Sequence, residues 1–384
     1  MGKIARKFSL QALIGEHVAR DASLALGGLH FHNTPMALVR ELIRQEIPLS
    51  LLIPPLDGSI NADQLIGAGL VRELQFAYLG GEIFGLAGRF RAAAEAGGLR
   101  LRDCEEAGFT LALRAGAAGL PFAALPSGFM PAQNGVPNVL SVNTIDYQTL
   151  TNPFTGAEEV VVRAITPDVA LIHCQLIDSR GNCGFLGAPF LDLEVARAGR
   201  VCLVQAEREV EVLPPHCRAW LPGYVVDAYC VLAGGAHPAS SHGCYGHDHQ
   251  HISDYVAAAQ SAEGYDHYRR AVIGASEQAY RVAVDIESRL SHWRAVRHEL
   301  CPRGIDGAGL RARAARRRCR RDRHAGNPAE RRLPRCAAVR QGACGGLDRW
   351  NRNARPECGT GAGIRRRPAL SQRSCDARPR DRHC

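Results

Sequence analysis

The chain has 384 residues, 46% of them hydrophobic, and a formal net charge of +9. That charge is uneven: residues 301–384 hold 23 Arg against seven acidic residues, so they carry +16 and the first 300 residues carry −7. Overall basicity therefore describes the tail and is no guide to the body, and the absence of any run of 18 apolar residues excludes a sequence-evident membrane helix.

In chain order, MGKIARKFSLQALIGEHVARD lacks an unbroken apolar stretch and reads as a short helix, not a signal peptide. Ser23–Gly28 is an apolar strand running into a glycine turn. Pro35–Arg44 opens with proline and repeats apolar residues at helical spacing. A strand at Leu49–Ile53, a helix at Asn61–Ala68, and strands at Val71–Leu79 and Leu99–Asp103 follow, then a helix over Thr110–Ala117. From about Phe129 to Thr166 the chain is rich in Pro, Asn and Gly and reads as long loops. Asp168–Ile177 is a near-continuous apolar run, as a strand covered on both faces requires. Arg200–Ala206 and Tyr224–Leu232 are two more strands, and Ile252–Tyr268 and Gly274–Arg297 are helical. This alternation predicts an α/β class with an open, mostly parallel sheet flanked by helices.

Four places carry candidate chemistry. Gly27 and Gly28 end a strand just before a helix, where backbone N–H groups suit a phosphate or an oxyanion. Asp178 and Asn182 flank a turn at the end of the long strand, where open sheets place ligands and where a plain tight turn is the competing reading. His237 opens a polar loop with His242, His247, His249 and His251; no acidic or cysteine set at a familiar spacing joins them, so no metal is expected. Glu105 and Glu106 follow a strand and are either a nucleophile or base, or an ordinary surface pair. No GxSxG elbow is present.

Residues 298–384 form an Arg/Ala/Gly/Pro/Cys-rich tail, set apart from a body over residues 1–297. Lys3 and Lys7 are the only lysines, which marks a GC-rich gene, and such DNA read out of frame yields Arg, Ala, Pro, Gly and Cys. The tail is read as out of frame; the competing readings are a disordered arm and a nucleic-acid binder, the last opposed by Trp350 being its only aromatic residue. The body's seven scattered cysteines, with no CxxC pair, fit buried thiols in a cytoplasmic protein.

Five segments taken together, GGLHFHNTPMALVRELIR, INADQLIGAGLVRELQFAYLG, LALRAGAAGLPF, DVALIHCQLIDSRGNCGF and VVDAYCVLAGGAHPASSHGCYGHD, resemble the alpha subunit of family I coenzyme A transferases, of the glutaconate CoA-transferase type. The resemblance covers about residues 10–290. It implies the NagB-like sheet fold and transfer of CoA between an acyl-CoA and a carboxylic acid through glutamyl anhydride and glutamyl-CoA intermediates. It also implies a beta subunit in a heterodimer or α2β2 assembly, which supplies the catalytic Glu, and a CoA thioester as substrate with no permanently bound cofactor. Neither nucleic acid nor membrane is implied as a partner. The family's GGFG-like oxyanion loop is replaced by GGLHFHN, which leaves His30 or Asn33 as the donor. Gly27, Gly28, His30, Asn33, Asp178, Asn182 and His237 are the expected substrate or CoA contacts. The alternative is the alpha subunit of a heteromeric, ring-cleaving CoA-thioester hydrolase that uses Glu105 or Glu106.

Overall fold

The computed structural model describes residues 5–126 and 139–300. Its first half runs β1 (Arg6–Lys7), α1 (Leu10–His17), β2 (Ala22–Leu26), α2 (Met36–Arg44), β3 (Leu49–Ile53), β4 (Asp57–Gly58), α3 (Ile60–Gly67), β5 (Glu73–Phe76) and β6 (Tyr78–Leu79). Then come α4 (Gly88–Glu95), β7 (Arg100–Asp103), α5 (Glu106–Ala117) and β8 (Phe122–Ala124). The second half holds α6 (Val139–Val142), β9 (Tyr147–Thr151), β10 (Glu158–Arg163), β11 (Val169–Asp178), β12 (Cys183–Phe185), α7 (Asp192–Ala198), β13 (Val201–Val210), β14 (Ala219–Leu221) and β15 (Ala228–Val231). It closes with α8 (His249–Ala258), α9 (Ala262–Tyr268), α10 (Glu277–Ala283) and α11 (Ile286–Leu300).

The main sheet has the order β1-β15-β13-β11-β2-β3-β5-β7, every neighbour parallel, with β12 added antiparallel beside β11 and β14 antiparallel beside β12. From β2 the chain works outward through β3 and β5 to β7. It returns on the other side of β2 to lay down β11, β13 and β15. Strand order thus reverses between β2 and β11, and the crevice at the carboxyl ends of such a pair is where open sheets bind ligands. All ten residues of β11 are buried, as its unbroken apolar run predicts. Full burial of each Val, Leu or Ile there contributes about 1.5–3 kcal/mol.

Several expectations are revised. The loop reading of 129–166 is corrected, because β9 and β10 pair antiparallel with each other and β10 with β8. Its Asn, Pro and Gly form the hairpin turn: Asn152 Oδ1 accepts the Phe154 N–H at 2.9 Å, and Gly156 sits at φ 75. Residues 127–138 lie outside the described part. Val71–Leu79 splits, since β6 leaves the sheet to pair with β4. Ile252–Tyr268 breaks into α8 and α9, with Ser261 capping the second through the Gly264 N–H at 3.0 Å. Gly274–Arg297 likewise becomes α10 and α11. α2, amphipathic by sequence, is buried on every side from Met36 to Ile43, because Glu277 of α10 covers its Arg40. α11 reaches Leu300, past the compositional break; residues 301–384, and with them nearly all of the tail, lie outside the described residues. No helix among the described residues is long and apolar enough to cross a membrane.

Candidate functional site

The Gly27–Asn33 turn stands at the switch point, directly after β2. Its amides hold the turn itself. Gly27 N–H donates to the Leu171 carbonyl at 2.8 Å and Gly28 N–H to Asp192 Oδ1 at 2.8 Å. Leu29 and His32 exchange backbone bonds at 2.9 and 2.8 Å, His30 N–H reaches the Asp57 carbonyl at 2.7 Å, and Asn33 N–H reaches the Ser240 carbonyl at 2.8 Å. The Gly27 and Gly28 N–H groups, read from sequence as donors to a phosphate or oxyanion, are therefore engaged within the fold. Asp192 is fully buried, and that burial pushes its carboxyl well above the usual carboxylate range. Through Oδ1 this carboxyl clamps Gly28.

What the turn presents to the crevice is side chains. His30 and Asn33 adopt left-handed backbone at φ 51 and 53, a strained conformation that is concentrated at functional sites. His30 lies against Tyr78, ring centroids 5.9 Å apart, and burial lowers its pKa against the opposing charge of Glu82. Its Nε2 is buried without a hydrogen-bond partner. Asn33 is not a free donor. Its Oδ1 accepts from Gln175 Nε2 at 2.9 Å and from the His242 N–H at 3.1 Å, and its Nδ2 donates to the Ala188 carbonyl at 3.3 Å. Beside them Ser240 Oγ donates to the Phe31 carbonyl at 3.2 Å and accepts from His32 Nδ1 at 2.6 Å. That tautomer leaves the lone pair of His32 on Nε2. Burial, helped by His247, His30 and His242, keeps His32 below the usual histidine range, so it is a neutral base at pH 7.

The two glutamates after β7 separate cleanly. Glu105 is the N-cap of α5: its Oε2 accepts the Ala107 N–H at 2.8 Å and its Oε1 accepts the Gly108 N–H. Glu106 is exposed and shares the crevice with Asp57 and Glu82; burial and then those two charges raise the Asp57 pKa.

The other expected contacts lie elsewhere. Asp178 lies seven residues beyond Leu171 on β11, about 23 Å at the rise of an extended strand. Its carboxylate accepts the Arg180 and Asn182 N–H groups, each at 2.9 Å, and Asn182 Nδ2 at 2.8 Å, while Asn182 Oδ1 holds the Gly223 N–H. Of the two readings open for that segment, the structure shows the tight turn. His237 is buried, with Nδ1 against the Tyr280 hydroxyl at 2.6 Å and Nε2 against Asp248 at 3.0 Å. His237, Asp248 and His251 bring possible ligand atoms within 4.8 Å of one another. Arg289 pairs with Asp248, and Arg40 bonds the His237 carbonyl at 2.7 Å, so two guanidiniums already supply the positive charge there.

One group went unread in the sequence. His173 and Gln175 on β11, and Gln205 and Glu207 on β13, interrupt apolar strands at a period of two, all buried and on the face toward α2. A polar pair at i and i+2 inside an apolar strand was the available signal.

The description "Coenzyme A transferase" belongs to a family model that matches residues 8–228. Over 294 residues the chain is 31% identical to the A-type subunit of the 3-oxoadipate CoA-transferase of Pseudomonas knackmussii, covering 73% of this chain and 99% of that one. It is 25% identical to the cholesterol ring-cleaving hydrolase IpdA subunit of Rhodococcus jostii, covering 73% and 95%. The glutaconate coenzyme A-transferase crystal structure from Acidaminococcus fermentans shares the fold with a TM-score of 0.67 at 24% identity, covering 74% of this chain and 95% of that one.

Proposed function

The chain belongs to the coenzyme A transferase family, as the alpha subunit of a heteromeric enzyme, and from that footing we propose that it forms one wall of a shared active site whose nucleophilic glutamate comes from the beta subunit. The carrying observation is the state of the two glutamates that follow β7. A carboxylate nucleophile needs a desolvated, unengaged oxygen. Both oxygens of Glu105 cap α5, and Glu106 is open to solvent among like charges. This chain's part in moving CoA between an acyl-CoA and a carboxylic acid is then to shape the pocket with the Gly27–Asn33 turn and to offer neutral imidazoles at His30 and His32. Assembly as a heterodimer or α2β2 and a cytoplasmic location belong to the same proposal; buried thiols at Cys104, Cys174, Cys183 and Cys230 support the latter.

With the beta subunit co-expressed, Glu106→Ala is expected to keep kcat within about threefold of wild type. Glu105→Ala is expected to cost about 1 kcal/mol of stability, the usual value of a lost N-cap, and to keep activity. Abolished turnover in Glu106→Ala would instead favour the hydrolase mechanism, the less supported alternative, which rests on the lower identity to the IpdA subunit.

We further propose that residues beyond α11 are dispensable for this function, in keeping with an out-of-frame origin of the tail. Deleting residues 301–384 is expected to leave CoA transfer unchanged and the yield of soluble heteromer equal or better. Lost transfer with the heteromer still assembled would refute this.

A further inference from the structure

We propose that Glu207 is a positioning residue of the transferase site: it ties β11, β13 and the 234–245 loop into one buried knot that fixes His32 and Asn33 at the crevice. The proposal rests on the transferase reading above. Glu207 Oε2 accepts the Gly234 N–H at 2.8 Å, and Oε1 accepts the Tyr245 hydroxyl, with His173 Nε2 at 3.3 Å. The direction of each bond is determined by its neighbours. Gln205 Oε1 accepts the Leu38 N–H at 3.2 Å, so Gln205 Nε2 donates to His173 Nδ1 at 2.9 Å. His173 therefore carries its proton on Nε2 and donates toward Ser241 Oγ at 2.9 Å and Glu207. Ser241 Oγ also accepts from Gln175 Nε2 at 3.2 Å, which leaves its own hydrogen for Glu207. Every neighbour of this carboxylate is thus a donor.

Two short links join the knot to the site. Gln175 donates to both Ser241 and Asn33, and Ser240, adjacent to Ser241, anchors His32 Nδ1. The titratable groups facing Glu207 are His173 from β11 and Tyr245 from the loop, with Cys244 beside Tyr245. Burial raises Glu207 to about 7 against its donors, and burial lowers His173 to about 3, so His173 stays neutral while Glu207 changes state near neutrality. Protonating Glu207 places a hydrogen between it and donors that already have theirs. The Tyr245 hydroxyl, which accepts the Ala236 N–H at 3.0 Å, then loses its acceptor, and the loop carrying Ser240 loosens.

The test is a pH profile of the assembled heteromer, with thermal unfolding followed alongside. Wild-type kcat is expected to rise as pH increases through about 7, the value to which burial raises Glu207. Glu207→Gln, whose amide faces the same donors, is expected to run at the low-pH rate with no break between pH 6 and 9. Tyr245→Phe removes a donor that favours the ionised form, so the break is expected to move to higher pH. The sign for stability is opposite to that for activity. The folded chain holds a proton on Glu207 that the unfolded chain has released, so wild-type stability falls as pH rises from 4.5 to about 7. Glu207→Gln lacks that slope. A break that stays in place in both variants overturns the proposal, whatever their activity. Absence of CoA exchange by wild type at every pH marks failure of the transferase reading instead, and the unfolding series still reports on Glu207.

Discussion

Gly28→Ala is expected to lower kcat/KM for CoA transfer by about 100-fold or more, the scale of loss that follows a displacement of about 1 Å at a reacting centre. A Cβ on Gly28 would stand 2.6 Å from the His32 carbonyl oxygen and 2.8 Å from that of Asn33. Both obstacles are backbone, and both are held: His32 in its two-way exchange with Leu29, Asn33 by its N–H on Ser240. The φ of +89 adds strain that an alanine resists, about 1–3 kcal/mol. Relief is available only by opening the turn, which would carry His30 and His32 away from the crevice and withdraw Gly28 from Asp192. Steady-state kinetics of the heteromer carrying this variant, read beside its thermal midpoint, decide the matter. Activity within twofold of wild type would show that the turn's geometry is not a requirement of the site.

Glu277→Ala is expected to cost about 3–5 kcal/mol of stability, the range for stranding one member of a buried ion pair. Arg40 is 1% exposed, bonded through Nε to Glu277 at 3.0 Å, and stacked 3.6 Å above the Tyr280 ring. Arg44 reaches the same carboxylate at 3.0 Å. Burial alone would raise the Glu277 pKa; Arg40 and Arg44 outweigh it and hold the group below the usual glutamate range. With a depressed folded value, this contribution is present above the unfolded glutamate pKa and is lost as pH falls through the folded value. Urea midpoints of wild type and Glu277→Ala give the first number. A double variant, Arg40→Met with Glu277→Leu, is expected to recover most of the loss, because it leaves no stranded charge. If the single variant is as stable as wild type, the ion pair does not secure α2.

Strands and helices were legible where a single period persisted: β3 spans the predicted Leu49–Ile53, and β11 lies one residue from its prediction. The three-stranded sheet was not, because the Asn152–Gly156 turn chemistry dominates a segment whose inward residues alternate only through Val160 and Val162. Position of the glycine turn was readable, but the fate of its amides was not. Asp192 lies 164 residues from Gly28, and no local pattern announces that pairing. The choice between Glu105 and Glu106 turned on which side chain folds back onto α5, a matter of one rotamer. Polar residues at 173, 175, 205 and 207 stood in plain view inside apolar strands, yet their meaning needed the parallel register that sets His173 beside Gln205.

Because the Gly27–Asn33 backbone is held by its own bonds and by the buried Asp192 carboxyl, it does not depend on a bound acyl group for its shape. Frame and recognition are therefore separable here. The side chains at 30 and 32 can be exchanged without remaking the loop that carries them. In the proposed site, a scaffold of this kind lends itself to divergence: replacements at those two positions are expected to change acyl preference while the turn, its clamp and the sheet beneath stay as they are.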